Sequence, residues 1–246
     1  LNTYYVFDGG DDKATEYWEE MTRVRLEYFP DPGPAATAVR IKGMPYVGQL
    51  IQIEGIAVKG ADFQQRVRVM PEGSWDWSIS VPLSQGWRCD NRIYVGGQIS
   101  ADKKGAAVHA GDVVSQTNAI YDYIDTIVSD AGGCPDDLAH LKICFKHDSS
   151  GSDENFYLKN IIEVTKNRYG RNCPVISCFG VDLLYPGLVL EIDAMAFDAT
   201  HSRVSAAPSL GKAFEDCFAD GVTAAGETWI GGQEAIDTSG RVMCEG

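Results

Sequence analysis

The sequence has no apolar run that approaches the ~20 residues needed to cross a bilayer. It begins at Leu1, and no basic segment followed by an apolar one comes next, so we expect no secretory leader. Hydrophobic residues make up 44% and charged residues 23%, which is typical of a soluble globular protein. We therefore expect a cytoplasmic protein with no membrane partner.

Metal-binding patterns are also missing. The seven cysteines include no Cys-x-x-Cys pair, and the four histidines keep no metal-ligand spacing with them. Reduced thiols in a cytosolic protein are the plain interpretation. We expect no metal and no other cofactor.

Positive charge is scarce, because the net charge is -14. A chain this acidic repels phosphate backbones unless it carries a local basic patch. The densest basic groups, Arg66 with Arg68 and Lys166 with Arg168 and Arg171, form no long run. We therefore expect no nucleic-acid partner.

What the chain does contain is internal repetition. EYWEEMTRVRLEYFPDPGPAATAVRIKGMPYVGQLIQIEGIAV at 16–58 matches NFYLKNIIEVTKNRYGRNCPVISCFGVDLLYPGLVLEIDAMAF at 155–197. GWRCDNRIYVGGQISADKKG at 86–105 matches GVTAAGETWIGGQEAIDTSG at 221–240 without a gap. Repeats of this kind predict similar structural units along the chain.

One unit is complete and a second one is split across the two ends. The predicted division is 1–59 for the back half of the first copy, 60–77 for a linker, 78–199 for the complete domain, 200–213 for a connector and 214–246 for the front half of the split copy. In the complete unit, helical spacing predicts a helix over 112–133 and another from about Glu154 to Gly170. We expect Phe156, Ile161 and Ile162 of the second helix to face inward.

The stretch LVLEIDAMA at 188–196 alternates as a half-buried strand does, with Glu191 and Asp193 on one face. In the sister stretch LIQIEGIAV, Gln52 matches Glu191 and Glu54 matches Asp193. Asp193 is interpreted as an ion-pair partner. Glu191 is either an exposed polar residue or a carboxylate in a cleft.

The complete unit resembles the reactive intermediate deaminase family, RidA/YjgF. The resemblance lies in IYVGGQISADKKG, in QTNAIYDYIDTIVSDAGG followed by LAHLKICFKHD, and in LVLEIDAMAF. It implies an α+β fold, a six-stranded sheet with two helices on one face, here in two tandem copies. It also implies a homo-oligomer with three-fold packing of domains, and small-molecule clefts between domains where enamines and imines are hydrolysed to carbonyl compounds and ammonia.

By the same resemblance, Glu191 is the residue that activates the hydrolytic water. Cys178 lines the cleft, and Gly97 and Gln98 belong to a turn beside it. Each has a plainer interpretation, because Cys178 is also typical of a small buried residue and the glycines of a close backbone approach.

The sequence departs from the family pattern at two substrate-binding positions. The arginine that holds the carboxylate of a 2-imino acid is replaced by Ile176, and by Ala36 in the other copy. The expected tyrosine is Leu83, and Phe218 in the other copy. An apolar residue cannot anchor a carboxylate, so these replacements predict a substrate other than a simple 2-imino acid.

Two other functions stay open. The chain could be a catalytically degenerate module that binds a metabolite or scaffolds a complex, since Gln52 cannot act as a base. Some family members are called ribonucleases, but the net charge and the lack of a histidine pair argue against that activity here. Two further features have open roles: Trp75 and Trp77 pack on the sheet or wall an aromatic cleft, and Arg66 with Arg68 could supply the missing positive charge.

Overall fold

The structure is a computed structural model that describes residues 1–59, 65–146, 154–183, 185–204 and 218–233. Within these ranges, no helix combines the length and the apolar composition that a membrane span requires.

The described residues form twelve strands and three α-helices, in the order β1 (Asn2–Tyr5), α1 (Asp11–Leu26), β2 (Thr37–Arg40), β3 (Ile51–Glu54), β4 (Arg66–Val69), β5 (Gly86–Cys89), β6 (Arg92–Gln98), α2 (Val113–Asp130), β7 (Leu138–Lys146), α3 (Glu154–Tyr169), β8 (Val175–Val181), β9 (Leu190–Phe197), β10 (His201–Val204), β11 (Gly221–Ala224) and β12 (Glu227–Ile230). Short 3₁₀ turns lie at Pro135–Asp137 and Gly170–Asn172.

The central element is a six-stranded mixed sheet in the order β4-β5-β6-β9-β7-β8. Strand β7 runs parallel to β8, and the other neighbours are antiparallel. The first strand, β4, lies inside the stretch predicted as a linker. It escaped prediction because RVRV is short and half charged, as edge strands commonly are.

Helices α2 and α3 cover one face of this sheet, as the resemblance implies. Asp112 caps α2 by accepting a hydrogen bond from the Ser115 backbone N–H. The core between the helices and the sheet includes Ile120, Ile124 and Ile161, all fully buried.

One predicted core residue of α3 faces solvent. Phe156 is 56% exposed, whereas Ile161 and Ile162 are buried as expected. Phe156 precedes Ile161 by five residues, which places it roughly 140° around the helix from the buried face. The apolar character of Phe156 was therefore a poor guide to its direction.

The N-terminal half-unit repeats the back half of the complete domain in topology and in register. Strand β1 is parallel to β2 and antiparallel to β3, as β7 is to β8 and β9. Asn2 pairs with both Thr37 and Glu54. At the matching positions, Lys142 pairs with both Ser177 and Asp193.

The C-terminal half-unit repeats the front half in the same way. Strands β10, β11 and β12 form an antiparallel meander in which Gly221 pairs with Ile230, as Gly86 pairs with Val95. Strand β10 lies in the segment predicted as a connector and occupies the place that β4 has in the complete domain.

The two half-units do not combine into one sheet. Among the described strands, β2-β1-β3 and β10-β11-β12 are separate three-stranded sheets, so the single split copy expected from the sequence is not assembled. They contact the complete domain at different strands. Gly97 N–H donates to the Ala36 carbonyl at 3.0 Å, whereas Gly232 N–H donates to the Ile176 carbonyl at 2.7 Å.

These two contacts are equivalent in the repeats, because Gly97 matches Gly232 and Ala36 matches Ile176. The complete domain therefore receives a back half beside β6 and a front half beside β8. Each contact buries backbone polar groups that would otherwise lack a partner.

Candidate active site

Glu191 lies on the face of the sheet opposite the helices. Its strand neighbours Leu190 and Ile192 belong to the core under the helices, so strand alternation turns Glu191 the other way. Its side chain is buried, with 6% exposed. The interpretation of Glu191 as an exposed strand residue is therefore wrong.

Two backbone segments hold the carboxyl group in place. A Cβ atom added to Gly97 would lie 1.9 Å from Glu191 Oε1, so only glycine leaves room at that position. The backbone N–H of Ala38, from the N-terminal half-unit, donates a hydrogen bond to the carboxyl group. The surroundings of Glu191 thus come from both units.

The charge of Glu191 is disfavoured at neutral pH. Its pKa is raised to about 8, mainly by burial and then by the nearby Asp193 carboxylate, while Lys142 and the Ala38 N–H act in the opposite direction. Near pH 7 the group is therefore mostly a protonated acid. A carboxylic acid with such a pKa can give a proton to a leaving group and take one from water.

Aromatic side chains form the walls of this cleft. Trp75 and Trp77 contact each other edge to face with ring centroids 4.9 Å apart, and both line the cleft. Trp18 of α1 and Tyr185 close the other side, with centroids 6.4 Å apart. The tryptophan pair therefore walls the cleft, one of the two roles left open by the sequence.

The space beside Glu191 is small. The cavity has a volume of about 30 Å³, which corresponds to about one water molecule. It is large enough for the water of a hydrolysis.

Leu83, Gly97 and Gln98 lie on this side of the complete domain. Leu83 is buried and lines the cleft with Gly97. The Gln98 amide is held inside the protein: it accepts from Trp75 Nε1 at 3.0 Å and donates to Gln85 Oε1 at 2.8 Å. Gln98 therefore fixes Trp75 in position.

Ile176 and Cys178 are not brought together with Glu191. They pair with Leu141 and Ile143 and pack on the core under the helices, on the opposite face of the sheet. Phe218 of the C-terminal half-unit packs on the same core. The positions that the resemblance assigns to one cleft therefore lie on opposite faces of the sheet. In the cleft of Glu191, Ala36 and Ala38 line the other wall.

Asp193 has the structural role expected of it. Its Oδ2 lies 2.6 Å from Lys142 Nζ and accepts a hydrogen bond from Thr37 Oγ1 at 2.8 Å. These groups line a second cavity of about 510 Å³ on the same side of the sheet. Asp193 is ion-paired with Lys142, so it is not a free base. Its negative charge still acts on the pKa of Glu191.

Sequence reasoning missed Arg25. Its side chain lies at the last turn of α1, on the same buried face as Trp18, and lines the cleft of Glu191. No sequence signal marks it, because a helical RVRL segment is typical of an exposed surface. The proposed cations are occupied elsewhere: Arg66 lies over the Trp87 ring, and Arg68 contacts Asp31 at 2.9 Å.

Within the described ranges, no group of three or more histidine, cysteine, aspartate or glutamate side chains is arranged to hold a metal ion.

Comparison with known proteins identifies the complete domain. A family model described as Endoribonuclease L-PSP matches residues 78–198. A RutC family protein of Pyrococcus abyssi is 28% identical over 116 residues, which cover 47% of this chain and 86% of that protein. The 3-aminoacrylate deaminase RutC of Acinetobacter baylyi is 27% identical over 128 residues, 52% of this chain and 94% of that enzyme.

Among solved structures, E. coli TdcF with bound serine is 22% identical, with a TM-score of 0.45, over 54% of this chain and 99% of that one. The matched family model and the RutC relatives support a RidA/YjgF family domain at residues 78–198 of this chain.

Proposed function

We propose that this protein hydrolyses an enamine or imine to a carbonyl compound and ammonia, with Glu191 as general acid and base. The observation that supports this most is a buried carboxyl group with a pKa of about 8 beside a cavity the size of a water molecule. The name of the related enzyme from Acinetobacter baylyi, a 3-aminoacrylate deaminase, supports the same class of reaction.

The reaction needs one group that exchanges protons in both directions. Protonated Glu191 gives its proton to the enamine carbon or the imine nitrogen, which makes the adjacent carbon electrophilic. The resulting carboxylate takes a proton from water as the water oxygen bonds to that carbon. Glu191 then returns the proton to nitrogen and the C–N bond breaks with loss of ammonia. The carbinol hydroxyl gives its proton to the Glu191 carboxylate, which leaves the carbonyl product and restores the acid.

The test is ammonia release from a panel of enamines and imines, with Glu191→Gln as the variant. Loss of a general acid and base should lower the rate by at least ~100-fold. Because Gln keeps the size of the side chain, the fold should be preserved, and thermal unfolding checks this. Equal rates in the two proteins would refute the catalytic role of Glu191.

A binding or scaffolding module is the second candidate. It is favoured by Gln52, which stands at the position of Glu191 in the N-terminal half-unit and hydrogen-bonds Glu54 Oε1 at 3.0 Å. A cleft built on Gln52 would have no proton-transfer group at neutral pH. If no member of the panel is hydrolysed but a carboxylate or amine ligand binds, this function replaces the first.

A further inference from the structure

The side chain of Arg25 is buried without a partner of opposite charge among the described residues. The residue is 6% exposed, and both terminal guanidinium nitrogens are shielded from solvent and make no hydrogen bond. Its neighbour in sequence, Arg23, instead points outward and pairs with Glu19 and Glu20. Two arginines within one helical turn thus point in opposite directions, and Arg25 does not contribute to the charged surface.

An unpaired buried guanidinium is costly, because arginine does not lose its proton in proteins. Native structures leave very few buried donors unsatisfied, and the exceptions call for an explanation such as a ligand. Here both free nitrogens belong to a residue that lines the cleft of Glu191. A ligand in that cleft would supply the missing acceptors.

Two more buried polar groups lack partners in the same region. Tyr5 Oη and Thr22 Oγ1 make no hydrogen bond to any residue that the structure describes. Thr22 precedes Arg25 by three residues on the buried face of α1. Burial raises the pKa of Tyr5, and the nearby Glu191 carboxylate raises it further. Burial lowers the pKa of Arg25, and Tyr5 acts on it in the opposite direction. Tyr5 therefore lies near both Arg25 and Glu191.

The chain lacks, in this cleft, the arginine that the family resemblance leads one to expect. At the position where the resemblance expects that cation, the chain has Ala36, which lines the same cleft. Helix α1 supplies a guanidinium to this cleft through Arg25, whereas Ala36, which precedes β2, supplies none.

We propose that Arg25 binds the carboxylate of the substrate in the cleft of Glu191, so that the substrate is an anionic enamine or imine. Guanidinium and carboxylate match in a bidentate pair, which is among the strongest hydrogen-bonded contacts in proteins. This inference rests on the proposed function for the reacting group, but the charge recognition stands on Arg25 alone. It revises the expectation of a substrate other than a simple 2-imino acid, which followed from Ala36 and Ile176.

The experiment compares Arg25→Met with wild type on charged and uncharged substrates. A 2-iminocarboxylate made in situ by an amino acid oxidase and an amino acrylate enamine are the charged ones, and an imine made by an amine oxidase is the uncharged one. We expect kcat/KM to fall about 100-fold for the carboxylates only, through KM, because a charge-assisted bidentate contact is lost. Arg25→Lys should keep part of the kcat/KM for the carboxylate substrates.

Two controls separate recognition from folding. Arg23→Met removes a cation from the same helical turn and should change neither substrate class. Arg25→Met should unfold at the same or a higher temperature than wild type, since it removes an unpaired buried charge. An equal loss for charged and uncharged substrates, or no loss, would overturn the proposal.

Direct binding distinguishes this inference from the proposed function. Propanoate and propanamide are titrated while the fluorescence of the cleft tryptophans, Trp18, Trp75 and Trp77, is recorded. If no imine is hydrolysed but propanoate binding is lost in Arg25→Met, the charge recognition holds and the deaminase function fails. If hydrolysis persists with an unchanged preference for carboxylates, the function holds and the role of Arg25 is refuted.

Discussion

The carboxyl group of Glu191 lies against the backbone of Gly97 so closely that a Cβ atom on Gly97 would be 1.9 Å from Oε1. The Gly-Gly-Gln segment, expected as a turn, forms the end of strand β6, and its second glycine sets the position of the acid. On its other side the carboxyl group accepts a hydrogen bond from the Ala38 N–H. Backbone atoms fix the position of the carboxyl group on both sides, so that position does not depend on flexible side chains.

Gly97→Ala should displace the carboxyl group and lower kcat by at least ~10-fold, because small misplacements of a catalytic group are costly. Overpacking should also reduce the free energy of unfolding by about 1–3 kcal/mol. Gly43→Ala is the matched control, since nothing lies within 4 Å of a Cβ atom there. Steady-state kinetics and urea unfolding measure both effects, and an active Gly97→Ala protein would contradict the assigned geometry.

The activity should depend on pH through Glu191. Its pKa is raised to about 8, so the proton-donating form dominates below that pH and disappears above it. We therefore expect kcat/KM to fall as pH rises through about 8, with Glu191→Gln showing only a weak, flat residual rate. A wild-type profile that rises only above pH 8 would show that the carboxylate, and not the acid, is the active form of the free enzyme.

Changing the ion pair beside Glu191 should move this profile in opposite directions. Asp193 raises the pKa of Glu191 and Lys142 lowers it. Asp193→Asn should therefore shift the fall of activity to lower pH, and Lys142→Met should shift it to higher pH. Lys142→Met also leaves Asp193, 16% exposed, without its cation, and should cost about 3–5 kcal/mol of stability. Shifts of the same sign in both variants would refute the coupling.

Glu191 should also make the protein less stable at alkaline pH. Its pKa in the folded state, about 8, lies above its ordinary value of 4.5. Between these values the unfolded chain has lost the proton and the folded chain keeps it, so the free energy of unfolding falls as pH rises and the full loss is reached above about 8. Glu191→Gln lacks this loss. Denaturant unfolding near pH 5 and pH 9 should show a gain for the variant only at the higher pH.

Association of chains remains a prediction from the family resemblance. We expect a homo-oligomer with three-fold packing of domains, and the structure offers an edge for strand pairing in β3. Ile53 on this strand is 52% exposed, and a charge on an edge strand blocks pairing. Ile53→Lys should lower the molar mass measured by light scattering, whereas Val47→Lys, in an exposed loop, should leave it unchanged. A monomeric wild-type protein would refute this.

The sequence by itself determined the repeats and most of the elements, although β4 and β10 lie in segments that it predicted as linker and connector. Alternation in LVLEIDAMA predicted β9 and the face of Glu191, because side chains on a strand alternate regardless of what packs on them. Comparison of repeated stretches predicted both half-units, and the registers at Asn2 and Lys142 agree with that comparison. Apolar character was less reliable in α3, where Phe156 turned outward.

Only the tertiary structure decided which residues share a cleft. Ile176 and Cys178 match family positions in the chain, yet the sheet separates them from Glu191, because their side chains pack on the core under the helices and that of Glu191 lies on the opposite face. Arg25 and Glu191 lie far apart in sequence and share one cleft because α1, β6 and β9 each contribute side chains or backbone to its lining. A local sequence pattern shows on which face of its own helix or strand a residue lies. Which residues that face contacts is decided by packing between elements.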